Sequence, residues 1–345
     1  MSELRELADS VFGDSRESAG YGFDAGLWAI CAETGLARLT LPEAAGGSEG
    51  SFADAATVLT AAGRFAARVP LVETDLLAGW LLHAAGIGLP AGPLSAVAAA
   101  DLEIAGGRVT GRLRRVAWGR AVAGVAVLTG ENVVLVDTAV DTAGLEIVEG
   151  TNVAEEPRDD LVLTGVAVRV APLPEDAAAE FPLRAALGRS LLLAGASRGA
   201  LEMAVRYATE RVQFGRPIAK LQAIQQTLAL AAAEVAAAEA SSATAARQAD
   251  RRGVVAAAPA IAAAKARTGE AAGQVARIAH QVHGAIGFTR EHDLRLTTTR
   301  LWAWRDEDGA DARWNEQLGE RALQAGQGGL WALLTGTPHD ATTRH

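Results

Sequence analysis

The sequence predicts a mostly helical protein with a small antiparallel β domain in its middle, and three observations carry that prediction. Half of the 345 residues are hydrophobic yet only 5% are aromatic, so alanine, leucine and valine supply the apolar surface, as closely packed helices require. Apolar residues recur at helical spacing through the first ninety residues and again after Pro182. Between those stretches lie short β-branched runs separated by Gly, Asn, Asp and Pro. At roughly 150 residues per domain, the length fits two or three domains or layers. The expected division is an N-terminal helical domain over 1–90, a β domain over 91–175, a C-terminal helical bundle over 176–335 and a tail over 336–345.

The elements follow in order. In LWAICAETGL, Leu27, Ile30 and Cys31 share a face before Gly35 ends the helix. LTLPEAAGGSEGS is a turn-rich break, and Ser51 is placed to cap SFADAATVLTAAGRFAA, where Phe52, Ala56, Leu59 and Ala62 repeat at helical spacing. LVETDLLAGWLLHAAG is a further helix closed by Gly86. Glycine and proline cluster between Ile87 and Pro93, and the strand-length runs VAVLTG, NVVLVDT, LEIVEG, DLVLTG and VAVRVAP come next. From Pro182, three long helical runs joined by short turns predict an up-down bundle, with LRLTTTRLWAW and ARWNEQLGERAL as fourth and fifth elements.

Composition removes several function classes. The formal net charge is −9 and arginines are scattered, so no basic stripe offers itself to nucleic acid. Cys31 stands alone, which leaves no disulfide framework or cysteine metal site and fits a reducing compartment. MSELRELADSVFGDS lacks the features of a signal peptide, and the longest apolar run, LALAAAEVAAAEA, is broken by Glu234 and Glu239. A cytoplasmic protein with no membrane span is expected. His280, His283 and His292 match none of the usual zinc spacings, so no metal is expected.

Two stretches carry residue types that structure alone does not demand. In ERVQFGRPI, Pro217 suits the first turn of a helix and Gly215 a tight turn, but Arg211 and Phe214 are left over. A guanidinium forks onto phosphate or carboxylate oxygens, and an exposed ring lies against a flat ligand or a neighbouring subunit. The plainer reading is a solvated arginine and a core phenylalanine. In HQVHGAIGFTREHDL, Gly284 and Gly287 end a helix and let backbone approach something bulky, while Gln281 offers both a donor and an acceptor.

Taken together, R-x-x-F-G-x-P-I with Gln222, then Q-x-H-G-x-x-G some sixty residues on, resemble the acyl-CoA dehydrogenase family. GLARLTLPEAAGGSEG resembles that family's N-terminal G-L-x-x-L-x-L-P-E-x-x-G-G segment, so the likeness spans nearly the whole chain. It implies an N-terminal helical domain, a middle β domain and a C-terminal four-helix bundle in a dimer-of-dimers tetramer. It further implies FAD as cofactor, an acyl-CoA thioester as substrate and an electron-transfer flavoprotein-like acceptor. In such enzymes a glutamate takes the α proton while hydride passes from the β carbon to the flavin. By this resemblance Arg211 and Phe214, on the turn with Gly215, reach FAD held mainly by a neighbouring subunit. Gln222 approaches the adenine end, and Gln281 and Gly284 line the adenosine and pyrophosphate groove.

The chain departs from the pattern in two places. The T-E-P-x-x-G-S-D segment and the Trp-Ser/Thr pair that cradle the flavin ring are not recognisable in GPLSAVAAADLEIAGGRVTGRLRRVAWGRAVAG, and Trp118 reads as a β-domain core or interface residue. One branch of the family carries its glutamate where this chain has Asp308-Gly309-Ala310, and another where it has Arg189. Aspartate is one methylene shorter, and a misplacement of about 1 Å costs on the order of a hundredfold. Asp308 is therefore the candidate base, against a solvated acidic turn of Asp306, Glu307 and Asp308. The pattern is most like the short subunit of heteromeric α2β2 acyl-CoA dehydrogenases, similar to enzymes of steroid side-chain oxidation, in which a longer partner brings the glutamate. Two alternatives stand beside it: a homotetrameric enzyme using Asp308, and a catalytically inactive structural or interaction homologue.

Overall fold

The computed structural model describes residues 2–15, 22–140, 142–289 and 292–335; the expected tail over 336–345 lies outside them. The N-terminal layer comprises α1 (Ser2–Ser15), α2 (Ala25–Glu33), α3 (Phe52–Arg64) and a wide π-wound helix, Val72–Gly79, that runs directly into α4 (Trp80–Ala84). Ser51 forms a full capping box with Asp54 at the start of α3. Between α2 and α3 the chain makes two short 3₁₀ turns, and Asp75 on the π-wound segment fixes them by accepting from the backbone N–H and hydroxyl of Thr40 at 3.0 Å each.

The middle of the chain is a curled sheet of seven strands: β1 (Leu94–Ala98), β2 (Leu102–Ala105), β3 (Arg108–Ala117), β4 (Gly124–Leu128), β5 (Asn132–Asp137), β6 (Leu145–Val148) and β7 (Arg158–Pro172). The order is β1-β4-β5-β7-β3-β2, with β6 also on β7. The expectation of a wholly antiparallel domain is corrected at one edge, where β1 and β4 run parallel. A parallel pair needs a crossover rather than a tight hairpin, and here the β2–β3 hairpin and the helical turn at Gly119–Ala121 provide it. DLVLTG and VAVRVAP, expected as separate strands, are one fifteen-residue strand, β7, that stays continuous through Gly165 at φ +64°. Trp118 is buried in the sheet's core at φ +58° and meets Phe23 edge-on at 6.5 Å.

The C-terminal layer packs α5 (Ala177–Glu210), α6 (Gln222–Arg252), α7 (Ala258–His283), α8 (Leu294–Asp306) and α9 (Asp311–Thr335). Alanine and glycine let these helices approach closely. A Cβ on Gly195 would lie 1.9 Å from the Thr60 carbonyl oxygen, so glycine there permits the crossing of α5 over α3. ERVQFGRPI is not a direct helix-to-helix turn as expected: β8 (Val212–Gln213) and β9 (Arg216–Pro217) form a small hairpin, and Pro217 precedes a 3₁₀ turn rather than opening α6.

Candidate functional site

A cleft of about 750 Å³ lies where the three layers meet. Leu77 comes to it from the π-wound helix, Val97 from β1, Phe181 from α5 and Trp302 from α8. Its floor is ionic. Arg189, buried on α5, donates from Nε to Asp308 at 2.8 Å and from Nη2 to Glu73 at 3.0 Å, and Glu307 stands 3.4 Å from Nη1. Arg158 at the start of β7 grips both oxygens of Glu307, at 2.9 and 2.8 Å. Glu156 in turn accepts from Arg300 and from the Trp304 indole, each at 2.9 Å.

These groups are far apart in sequence and reach the floor on different elements, so the network joins the N-terminal helices, the sheet and the bundle. Burial works against a charge, and for Arg158, Arg189 and Glu307 pairing outweighs it, whereas at Arg300 burial prevails and lowers the guanidinium. Desolvation would raise the Glu307 carboxyl, but Arg158 and Arg189, with hydrogen bonds from Arg158 and Asn152, hold it down at about 2. Desolvation would likewise lower the Arg189 guanidinium, yet Asp308, Glu307 and Glu73 raise it well above its ordinary value. Asp308 sits at φ +56° in the turn between α8 and α9. Lys265 pins that turn from α7 by donating to the carbonyls of Arg305 at 2.9 Å and Gly309 at 2.7 Å, and burial lowers its ammonium to about 8.

The solvated acidic turn expected from the sequence is corrected for two of its three members. Asp306 is exposed, but Glu307 and Asp308 are partly buried and face buried arginines. The reason is long-range pairing that no local pattern reveals. Every carboxylate on the floor is paired to a buried guanidinium, so protonating one would leave an arginine uncompensated. Nor does the cleft fit a flavin ring: the link between β1 and β2 is only residues 99–101, shorter than the expected cradle segment, and Trp118 has turned into the sheet core.

The other sequence candidates lie on the rim of the bundle. Arg211 is the C-cap of α5, its side chain exposed and without a hydrogen bond or ion pair among the described residues. Phe214, at the hairpin tip, is 87% exposed at φ +51°, and Gly215 follows at φ +74°. The core phenylalanine of the plainer reading is therefore corrected. Gln222 opens α6, Gln281 lies in the last turn of α7, and Gly284 caps α7 at φ +64°; all three are exposed. Tyr207 on α5 stacks on His283 of α7 at 4.5 Å, which brings the hairpin and the Gly284 turn to one end of the bundle. Asp308 is not among them; it belongs to the cleft floor.

His283 Nδ1 pairs with the Ala279 carbonyl at 2.7 Å and His280 Nε2 with the Thr298 hydroxyl at 2.9 Å, and no group of three or more metal-binding side chains occurs among the described residues. Among those residues no helix is long and apolar enough to cross a membrane. Sequence reasoning missed Glu73, Glu156 and Arg158. The one local signal was Glu73, which with Asp75 places charge within the largely apolar LVETDLLAGWLL, where only buried partners make burial tolerable.

Known proteins supply the remaining context. Residues 3–87 match the acyl-CoA dehydrogenase N-terminal domain and residues 184–323 the acyl-CoA dehydrogenase C-terminal domain, so the two matches flank the sheet. Acyl-CoA dehydrogenase IpdE2 of Mycobacterium tuberculosis is 32% identical over 282 residues, 80% of each chain. Among solved structures, the ChsE4–ChsE5 complex of M. tuberculosis contains a chain that superposes with a TM-score of 0.82 at 23% identity, over 94% of this chain and 96% of that one. A Tcur3481–Tcur3483 steroid ACAD gives 0.80 at 23% identity, over 94% and 97%. Two family domains in their proper order, with a relative alike over four fifths of both chains, make this protein a member of the acyl-CoA dehydrogenase family.

Proposed function

We propose that this chain is one subunit of an FAD-dependent acyl-CoA dehydrogenase and completes the cofactor site of a longer partner rather than dehydrogenating substrate in its own cleft. The observation that carries this reading is a contrast: Asp308, the candidate base, is ion-paired with buried Arg189, whereas Arg211 and Phe214 project from the bundle rim with no partner among the described residues. The likeness to chains from the ChsE4–ChsE5 complex and from a steroid ACAD supports a heteromer acting on a bulky acyl-CoA, such as a steroid side-chain thioester; the same reading takes an electron-transfer flavoprotein-like protein as acceptor. FAD, when bound, accepts the hydride that leaves the β carbon of the thioester.

This chain's own residues bind and orient. Arg211 neutralises the diphosphate through charge-assisted hydrogen bonds, and Phe214 lays its ring on the cofactor. Gln222 meets the adenine end. Gln281 and Gly284 line the adenosine and pyrophosphate groove, where a side chain at Gly284 would be strained by its positive φ. The α proton is removed by the partner's carboxylate.

Arg211→Ala in the co-expressed complex tests the reading. Loss of one charge-assisted contact of about 1.5–3 kcal/mol corresponds to FAD retention weakened tenfold or more, with folding and assembly intact. Wild-type retention in the variant would defeat the proposal. A homotetramer using Asp308 is disfavoured by the pair with Arg189, since taking a proton there breaks a buried charge pair.

A further inference from the structure

Away from the cleft, α1 and α6 both pack against α3, and a groove of about 400 Å³ lies over that helix. Four guanidiniums reach it from four different helices: Arg5 from α1, Arg64 from α3, Arg198 from α5 and Arg247 from α6. Two carboxylates, Asp9 and Glu239, share the lining, and both are taken. Asp9 stands 3.4 Å from Arg64, which also donates from Nε to Glu202 at 2.8 Å, and Glu239 pairs with Arg198. Arg5 has no hydrogen bond or ion pair among the described residues, and there Arg247 donates only to the Thr244 hydroxyl, at 2.9 Å. Asp250, one turn beyond Arg247, is spent on the N-terminus of α3, where it accepts from the backbone N–H of Phe52 at 2.7 Å and of Ala53 at 3.0 Å.

The groove thus holds two cations that its own carboxylates leave uncompensated, in a chain whose formal net charge is −9. Like charges lining one concave surface repel, and an oxyanion bound between them relieves that repulsion while accepting from both guanidinium forks. The floor suits such a guest. Thr57 returns its hydroxyl to the Ala53 carbonyl at 3.2 Å, as a threonine inside a helix commonly does, but the Thr60 hydroxyl has no partner among the described residues and is free to donate. We propose that this groove binds a compact, multiply charged oxyanion, a polyphosphate or polycarboxylate, held between Arg5 and Arg247 over Thr60 and tying the N-terminal helices to the bundle. The groove is separate from both the cleft and the rim. Arg198 follows Arg189 by about two and a half turns, so the two leave α5 on opposite sides, and Arg247 lies about 37 Å along α6 from Gln222. The inference is therefore independent of the proposed function.

Titration calorimetry on the full chain at constant ionic strength tests it, with inorganic pyrophosphate, citrate and acetate as probes. Pyrophosphate or citrate should bind saturably and acetate at least about tenfold more weakly, because one carboxylate cannot serve both forks. Arg5→Gln and Arg247→Gln should each cost about tenfold, and the double variant should lose binding. Thr60→Val should cost about threefold through the lost hydroxyl. Arg114→Gln, which removes an exposed cation from β3, should change nothing. Binding of pyrophosphate alone assigns the guest to phosphates and binding of citrate alone to carboxylates; either upholds the site. Bound anion should also raise the melting temperature of wild type and not of the double variant. Four results would each overturn the proposal: no saturable binding of either polyanion at millimolar concentration, unchanged affinity in the double variant, an equal loss in Arg114→Gln, or pyrophosphate binding that disappears only with Arg211→Ala. FAD content reports separately on the rim and is unaffected by Arg5→Gln or Arg247→Gln.

Discussion

Arg189 on the cleft floor is buried against three carboxylates, while Arg211 on the bundle rim is exposed and touches none among the described residues. The two arginines lie at opposite parts of the same helix, α5. A buried charge is retained only with partners of its own chain, because desolvation is otherwise too costly. An exposed one bears no such penalty and stays available. Phe214 repeats the lesson: at 87% exposure and φ +51°, it has neither the burial nor the relaxed backbone of a core residue. The cleft floor is thus finished within this chain, and Arg211 on the rim has no such partners among the described residues.

The largest expected effect sharpens that contrast. Arg189→Met leaves Glu73, Glu307 and Asp308 facing each other in a buried site and should cost about 3–5 kcal/mol of unfolding free energy in urea. Arg211→Met should stay within about 0.5 kcal/mol of wild type. Equal losses would break the comparison.

Glu307→Gln is next. The folded carboxyl is held at about 2, below its ordinary 4.5, so its contribution is fully present above pH 4.5 and is lost as pH falls through 2. The stability gap between wild type and variant should be flat from about pH 5 to 7, on the order of 2–3 kcal/mol, and close in acid. A gap independent of pH would mean that the ion pairs contribute nothing.

A further effect lies away from both regions. Burial pushes Asp75 up to about 7, against hydrogen bonds from Thr40 and the charges of Arg184 and Arg38. A carboxyl raised in the folded state contributes most below its unfolded value near 4 and loses that contribution as pH rises through 7. Asp75→Asn should therefore gain on wild type between pH 4 and pH 7 in thermal melts, and parallel curves would show that Thr40 compensates the burial.

The helices were legible because their signals are local: Ser51 with Asp54 makes its cap three residues apart, and Gly284 ends α7 where the helical spacing of HQVHG ends. The hairpin at Val212–Pro217 was visible only as a turn, since two-residue strands carry no periodicity. The parallel β1–β4 pair could not be read, because pairing direction depends on the route between strands rather than on their composition. The cleft floor was hidden for a related reason. Arg158 and Glu307 are 149 residues apart, and nothing near either announces the other. The rim residues stood out because neither packing nor capping accounted for Arg211 and Phe214.

Flavin content of the chain purified alone and after co-expression with the proposed partner subunit tests the division between floor and rim most directly. The chain alone should be colourless and inactive toward acyl-CoA, and the complex should carry FAD that Arg211→Ala loses. A chain that alone holds one FAD per monomer and reduces it with acyl-CoA would contradict this account.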